Sequence, residues 1–313
     1  MNRKIILTGG TGFIGSRVAA RIIAHGDSPI LLKRSTTDTW RIANIKDKVA
    51  SYDIDKVPLE TVFRKEDIDA VVNLATFYRK RDDLNDIEEM IGTNVILPTK
   101  LLQLCKEYSI NRFVTAGSYF QYDLGSGNIC TRTPLLGRNF YAASKNSFER
   151  MMEYYAATSE CSPVSLVLFT PYGEMDNRNK LIPYIISRTI RGMAVDLTSG
   201  TQLLNLVFVD DVADAFMMSL NNNFTGSGYL RINIADQASH SVREIVRIID
   251  TITEKTTLVN WGAIETDDLD KIENLIVNTE ETKKILGWEP NVSIEEGLAR
   301  TIDYYKGVKN ETV

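Results

Sequence analysis

The stretch Lys4-Ile5-Ile6-Leu7-Thr8-Gly9-Gly10-Thr11-Gly12-Phe13-Ile14-Gly15 decides how the chain is read. Ile5, Ile6, Leu7 and Thr8 are apolar or β-branched, which suits a strand buried on both faces. A Gly-rich turn follows. Ile14, Val18, Ile22 and Ile23 then recur at helical spacing, so a helix starts at the turn and buries one stripe. Gly9, Gly12 and Gly15 are each separated by two residues, with Thr11, Phe13 and Ile14 among them. Glycine lets such a turn take φ > 0 and brings backbone N–H groups against a pyrophosphate, and the helix N-terminus adds partial positive charge. The last glycine permits close packing of helix on strand. A turn can carry glycines for geometry alone, but strand, turn and helix in this order favour a dinucleotide site.

Composition narrows the rest. The chain has 313 residues, 25% charged and 43% hydrophobic, enough for one large α/β domain or one domain with a smaller lobe. A net charge of −5 argues against a nucleic-acid surface. No apolar run reaches the roughly 18 residues of a membrane span, and the Met1 region reads as a strand rather than a signal peptide. Cys105, Cys130 and Cys161 form no C-x-x-C and read as reduced thiols of a cytoplasmic protein. His25 and His240 are the only histidines, which leaves little room for a zinc site or a His-based triad.

In chain order, Pro29 to Leu32 is a second strand ending at Lys33-Arg34-Ser35, and Val49 to Tyr52 a third ending at Asp53-Ile54. Ala70 to Leu74 is a fourth strand that runs into Ala75-Thr76-Phe77-Tyr78, and its C-terminal end faces the crevice where open α/β sheets bind ligands. A helix from about Asp86 to Tyr108 contains Pro98, which should kink it. Arg112 to Ala116, including Thr115, is a fifth strand continued by Gly117-Ser118-Tyr119-Phe120. Leu124 to Arg138 reads as a loop over the cleft. Tyr141 opens a helix to about Ala157, and Ser165 to Phe169 is a sixth strand leading into Thr170-Pro171-Tyr172-Gly173. The alternation specifies an α/β fold with a doubly wound parallel sheet. Residues 1–172 then form the dinucleotide-binding domain, with segments near 205–236 returning to it. Residues 173–313 form mainly a smaller, mixed α/β substrate lobe.

Tyr141 and Lys145 lie four apart, on one helix face. A phenol with pKa near 10 exchanges protons poorly at neutral pH, and a neighbouring ammonium should lower that value. Tyr141 could then act as a general acid or base, with Ser118 giving a further hydrogen bond to the substrate oxygen. Alone, Y-x-x-x-K is usually a surface pair. With the glycine turn and Ser118 upstream, the catalytic reading is preferred.

The wording Thr8-Gly9-Gly10-Thr11-Gly12-Phe13-Ile14-Gly15, with Tyr141, Lys145 and Ser118, resembles the extended, nucleotide-sugar-modifying branch of the short-chain dehydrogenase/reductase superfamily. Val207-Phe208-Val209-Asp210-Asp211-Val212 and Gly287-Trp288-Glu289-Pro290 extend the resemblance over nearly the whole chain. It implies a Rossmann-type fold and a nicotinamide that moves the hydride while the protein handles the proton. It also implies Asp53 and Ile54 beside the adenine and Asn94 near the nicotinamide. Lys145 would bind the ribose, and Pro171 and Tyr172 would lie under the carboxamide. No metal is needed. Lys33 stands where many members carry Asp, and Arg34 follows; this charge favours NADP over NAD, though a solvated strand end would look alike.

Within the branch, 4,6-dehydratases carry an Asp-Glu pair after the active-site hydroxyl residue, and here Tyr119-Phe120 follow Ser118. Many relatives grip the sugar-nucleotide diphosphate with the Arg of Gly-x-Gln-x-Arg-Asp-Phe; Leu204 replaces it in Gly200-Thr201-Gln202-Leu203-Leu204-Asn205-Leu206. Arg178, Lys180 and Arg231 are the cations that could replace it, or they are ordinary surface charges. The substrate set is completed by Thr76, Tyr78, Ser118, Tyr119 and Thr170. The wording around Gly117 to Gln121 and Leu204 to Leu206 resembles the CDP-abequose and CDP-paratose synthase group of 4-ketoreductases. The resemblance thus implies NADPH reduction of the 4-keto group of a nucleotide-linked deoxyhexose, with an NAD-dependent 4-epimerase as the alternative. A non-catalytic dinucleotide-binding protein is a third reading, and homodimerisation through the Tyr141 helix is implied as well.

Overall fold

Along strand β1 (Lys4–Thr8) the side chains alternate between two cores. Ile5 and Leu7 pack on one face of the sheet and Ile6 on the other. Ala70 and Val72 against Val71, and Val114 against Phe113, divide in the same way. That is the period of two of strands covered on both faces. The computed structural model describes residues 2–307 apart from 225, 227 and 273. The C-terminal end of the expected substrate lobe, 308–313, lies outside the described residues.

The other strands of the main sheet are β2 (Ser28–Lys33), β3 (Ala50–Asp53), β4 (Ala70–Asn73), β5 (Arg112–Ser118), β6 (Ser162–Leu168) and β7 (Leu230–Ile234). Their spatial order is β7-β6-β5-β4-β1-β2-β3, and every pairing is parallel. The order reverses between β1 and β4, which opens a crevice at the C-terminal strand ends. Helix α1 (Phe13–Ala24) covers one face of the sheet, and α2 (Leu97–Glu107) and α3 (Phe140–Thr158) cover the other. A further core gathers Ile182, Ile185, Ile186, Val242, Ile245, Leu298 and Ile302 from the later helices.

Three polar side chains tie the strand ends at the crevice. Thr8 donates to Asn73 Oδ1 at 2.7 Å and accepts from the backbone N–H of Leu74 and Ala75. Asn73 in turn donates to Thr115 Oγ1 at 3.0 Å. All three are buried, so the ladder satisfies groups that would otherwise be stranded in the sheet.

Two expectations need correction. The helix expected from 86 to 108 is interrupted: Ile87–Ile91 is α-helical, Gly92–Ile96 forms a π turn, and α2 restarts at Leu97. Pro98 has no N–H to give to an i−4 carbonyl, and the wider turn before it absorbs that loss. The loop from Leu124 to Arg138 does not line the crevice. Asn128–Ile129 pairs with Ile276–Val277, and Arg138 donates to the Asp268 carbonyl, which draw the loop onto the C-terminal segment.

Gly9 adopts φ of +65°, and a Cβ there would fall 2.6 Å from the Leu74 carbonyl. A Cβ on Gly15 would fall 2.0 Å from the Gly9 oxygen. Gly15→Ala therefore has to push α1 off the turn. It is expected to lower stability by about 1–3 kcal/mol, as overpacking does, and to weaken dinucleotide binding with it. Urea denaturation and cofactor titration measure both, and unchanged values would show that the turn can relax around a methyl group.

Candidate active site

The crevice is a cleft of about 710 Å³ at the C-terminal ends of β1, β4, β5 and β6. Gly9 to Gly15 form its floor at one end, and α1 opens there with Gly12 at its cap. No side chain caps the first turn of α1, so its orphan N–H groups are left for an anionic ligand. The missing Cβ atoms at Gly9 and Gly15, this uncapped helix end and the cations Lys33 and Arg34 along the wall suit a nicotinamide dinucleotide. Ile54, Leu74, Ala75, Thr76 and Pro171 line the same cleft.

At the other end stand Ser118, Tyr141 and Lys145 with Tyr78, Tyr119 and Thr170. β5 ends at Ser118, and the first two turns of α3 carry Tyr141 and Lys145, with Asn139 capping the helix through the Ala142 N–H at 2.9 Å. Tyr78 packs edge-on against Tyr141, ring centroids 4.9 Å apart. Lys145 Nζ donates to the Ala116 carbonyl at 3.1 Å and lies 6.0 Å from the centre of the Tyr141 ring.

The protonation energetics differ from the sequence expectation. Burial raises the Tyr141 phenol above its ordinary value, while hydrogen bonds with Ser118 and Thr76 pull it down. Burial pushes the Lys145 ammonium down from 10.5 to about 8. Both groups are buried, and for each the desolvation of its charged form is the largest cause of the shift.

Other expected site residues lie outside the cleft lining. Asp53 is engaged by Ser35 Oγ at 2.6 Å and Lys56 at 3.3 Å, and the Ser35 N–H is held by Asp55 at 2.8 Å. Thr115 is taken up in the strand-end ladder. Asn94 is buried behind the wall, where it accepts from Thr76 and Phe77 and donates to Ser144. Tyr172 turns into the later core, with its ring 5.6 Å from that of Phe208 and its hydroxyl on the Ile294 carbonyl. Of the three cations expected to replace the diphosphate-binding Arg, Lys180 alone lines the cleft, paired with the buried Asp176 at 3.0 Å. Arg178 is exposed. Arg231 is committed to a buried ion pair with Glu149 and to the Thr131 carbonyl.

Several lining residues escaped the sequence reading. Thr37, Thr93, Leu97, Phe120 and Phe169 all reach the cleft. Phe169 directly follows the end of β6, and that position was a usable signal. Thr93 enters through the π turn, which no spacing rule announces. Among the described residues, no Asp or Glu lines the cleft, and no group of three or more His, Cys, Asp or Glu is placed to hold a metal.

Fold and site together define a dinucleotide-binding enzyme fold with a Ser/Tyr/Lys cluster beside the dinucleotide cleft. The family model for the NAD dependent epimerase/dehydratase family matches residues 5–235, and the chain belongs to that family. CDP-abequose synthase of Salmonella muenchen is 29% identical over 304 residues, covering 96% of this chain and 98% of that protein. UDP-glucuronate 4-epimerase of Thermodesulfobacterium geofontis is 26% identical, covering 96% and 95%. The fold matches MoeE5 in complex with UDP-glucose and NAD at a TM-score of 0.84 and 23% identity, covering 97% and 98%. A UDP-N-acetylglucosamine 4-epimerase from Methanobrevibacter ruminantium M1 gives 0.87 at 20% identity, covering 97% and 98%. The chain is therefore a nucleotide-sugar-modifying type of enzyme with a dinucleotide cofactor.

The buried Lys145 gives a pH signature. Below pH 8 both folded and unfolded states carry the proton, and the native state bears the full cost of burying the charge. Between about 8 and 10.5 the native state sheds the proton first, so stability rises with pH. Lys145→Met should therefore be more stable than the parent at pH 7 by up to about 3 kcal/mol. That advantage should narrow by pH 10.5 in paired urea denaturations; an advantage independent of pH would mean the ammonium is solvated in the folded state.

Proposed function

We propose that the protein uses NADPH to reduce the 4-keto group of a nucleotide-linked 6-deoxy or 3,6-dideoxy hexose. The observation that carries this reading is the composition of the cleft: Tyr141, Lys145 and Ser118 line the same cleft as the glycine turn, with no carboxylate among the described lining residues. A bound nicotinamide supplies the hydride. The Tyr141 hydroxyl then gives its proton to the developing alkoxide, and Ser118 holds that oxygen by a hydrogen bond. Lys145 holds the ribose and keeps positive charge near the phenolate that proton transfer leaves. Eliminating water from the sugar would need a further acid–base pair, and Tyr119 and Phe120 occupy the positions after Ser118. The similarity to CDP-abequose synthases supports the substrate class. Lys180, which lines the cleft, is the cation proposed to meet the substrate's diphosphate.

NADP is favoured by Lys33 and Arg34 on the cleft wall. One observation favours the alternative, an NAD-dependent 4-epimerase: Arg34 is tied to Glu89 at 2.9 Å, and Ser35 to Asp53 and Asp55. Those carboxylates would disfavour the added charge of a 2′-phosphate bound at Arg34 and Ser35. Residues 1–172 with the returning segments serve as the cofactor domain, and 173–313 mainly as the substrate lobe. The protein works in the cytoplasm, as a homodimer. Among the described residues no helix is long and apolar enough to cross a membrane.

Two experiments check the reading. With a CDP-linked 4-keto-6-deoxyhexose and NADPH, wild-type protein should oxidise the cofactor in step with product, and Tyr141→Phe should lose on the order of 10²–10⁴-fold in turnover. A folded Tyr141→Phe variant within tenfold of wild type, roughly, would remove the phenol from the mechanism. Glu89→Gln frees the Arg34 guanidinium, so NADP should bind several-fold more tightly while NAD changes little. Equal shifts for the two cofactors in titration calorimetry would place Arg34 away from the 2′-phosphate.

A further inference from the structure

Gln121 is a buried amide that the proposed chemistry does not use. It ends the short 3₁₀ turn Tyr119–Gln121 that follows β5, and it is 1% exposed. Its Oε1 accepts from the Ser118 backbone N–H at 2.8 Å. Its Nε2 donates to Glu149 Oε1 at 2.8 Å and to Asn146 Oδ1 at 3.1 Å. Glu149, also 1% exposed, is held in turn by Arg231, whose Nε lies 3.1 Å from Oε2 and whose Nη1 donates to the Thr131 carbonyl at 2.9 Å.

The chemistry of the partners fixes the direction of the amide. A backbone N–H can only donate and a carboxylate can only accept, so Gln121 has one satisfied orientation. Arg231 pairs with that carboxylate in the interior, so the acceptor of the Gln121 amide is itself anchored. Glu149 lies on α3 four residues beyond Lys145 and eight beyond Tyr141. The brace from Gln121 to Glu149 thus joins the end of β5, which carries Ser118, to the helix that carries Tyr141.

We infer that Gln121 is a positioning residue, which sets the placement of Ser118 against Tyr141 through a buried brace anchored on the Glu149–Arg231 pair. The inference rests on the roles proposed for Ser118 and Tyr141 in the reduction. Misplacement of a catalytic group by about 1 Å can cost on the order of 10²-fold in rate. Gln121 touches neither substrate nor cofactor, since it does not line the cleft.

The test compares Gln121→Met, Gln121→Asn, Ser118→Ala and the double variant Ser118→Ala/Gln121→Met in the CDP-linked 4-keto-6-deoxyhexose assay, with melting temperatures for each. Asn keeps the amide but is one methylene too short to reach both partners, so it carries the comparison if the Met variant does not fold. Both Gln121 variants should lose about tenfold or more in kcat, with KM and cofactor affinity little changed. The double variant should be no slower than Ser118→Ala, because the brace acts only through Ser118. Losses that multiply in the double variant, a change confined to KM, or wild-type kcat in a folded Gln121 variant would overturn the inference. If Ser118→Ala alone keeps full turnover, the proposed role of Ser118 fails, and the positioning role with it. Amide hydrogen exchange at Ser118 reads the brace whatever the substrate. The Ser118 N–H should be protected in wild type and exchange faster in both Gln121 variants, and unchanged protection would show that the brace does not hold that peptide.

Discussion

The backbone of the turn after β1 touches the backbone at the end of β4, with no room for a side chain between them. Much of the cleft depends on that contact. It brings the first turn of α1 down to the strand ends, where the uncapped N–H groups meet the crevice. It is kept in place from below by Thr8, which satisfies Leu74 and Ala75 while it donates to Asn73. The polar ladder matters because parallel strands of this sheet are covered by helices on both faces. Thr8, Asn73 and Thr115 are themselves buried there, so each must find its partner among the others and the neighbouring amides. A cofactor floor and a structural ladder are in this way two sides of the same few residues.

The parts of the fold that sequence conveyed were those set by local periodicity. Ile5, Ile6 and Leu7 announce a two-faced strand, and Gly9, Gly12 and Gly15 announce the turn and the helix start next to it. The parallel, doubly wound sheet is legible too, because alternating strands and helices with right-handed crossovers leave few arrangements. Long-range pairings were harder. Nothing near Asn128 indicates that it will pair with Ile276, so a segment that reads as a cleft cover is a pinned strand. The same holds for charges. Arg231 and Asp53 have the residue types a ligand site wants, and only the fold reveals that Glu149 and Ser35 have taken them. A charge near a cleft in sequence is available to a ligand only if no nearer partner claims it.

The pair at the head of α3 shows how burial reshapes a motif. Tyr141 and Lys145 are at the i, i+4 spacing that suggests a lowered phenol, yet burial drives the phenol up and the ammonium down. Desolvation penalises whichever form is charged, and it acts on both members at once. A phenol raised in this way is held as a proton donor, the form a carbonyl reduction starts from. The ammonium at about 8 still carries its proton at neutral pH for the most part. In the proposed mechanism that charge would stabilise the phenolate as the proton leaves. The spacing locates the chemistry, while the direction of each shift comes from the packing.

The aromatic residues after Ser118 bear on the reaction more than their apolar character suggests. Tyr119 stacks on Phe120 with centroids 4.4 Å apart, and on Phe169 at 5.4 Å with the rings 14° from parallel. All three line the cleft beside Ser118. Stacked rings are rigid and present no proton donor on their faces. A sugar lying on them gains apolar contact for a carbon that carries hydrogen or methyl, while a hydroxyl placed there would lose its water without a replacement partner. The cost of such an unmet hydroxyl is about 1–3 kcal/mol. The same wall therefore disfavours both a second proton transfer and a fully hydroxylated sugar face. The proposed reduction of a keto-deoxy sugar needs neither, since it consumes a single proton, assigned to the Tyr141 phenol.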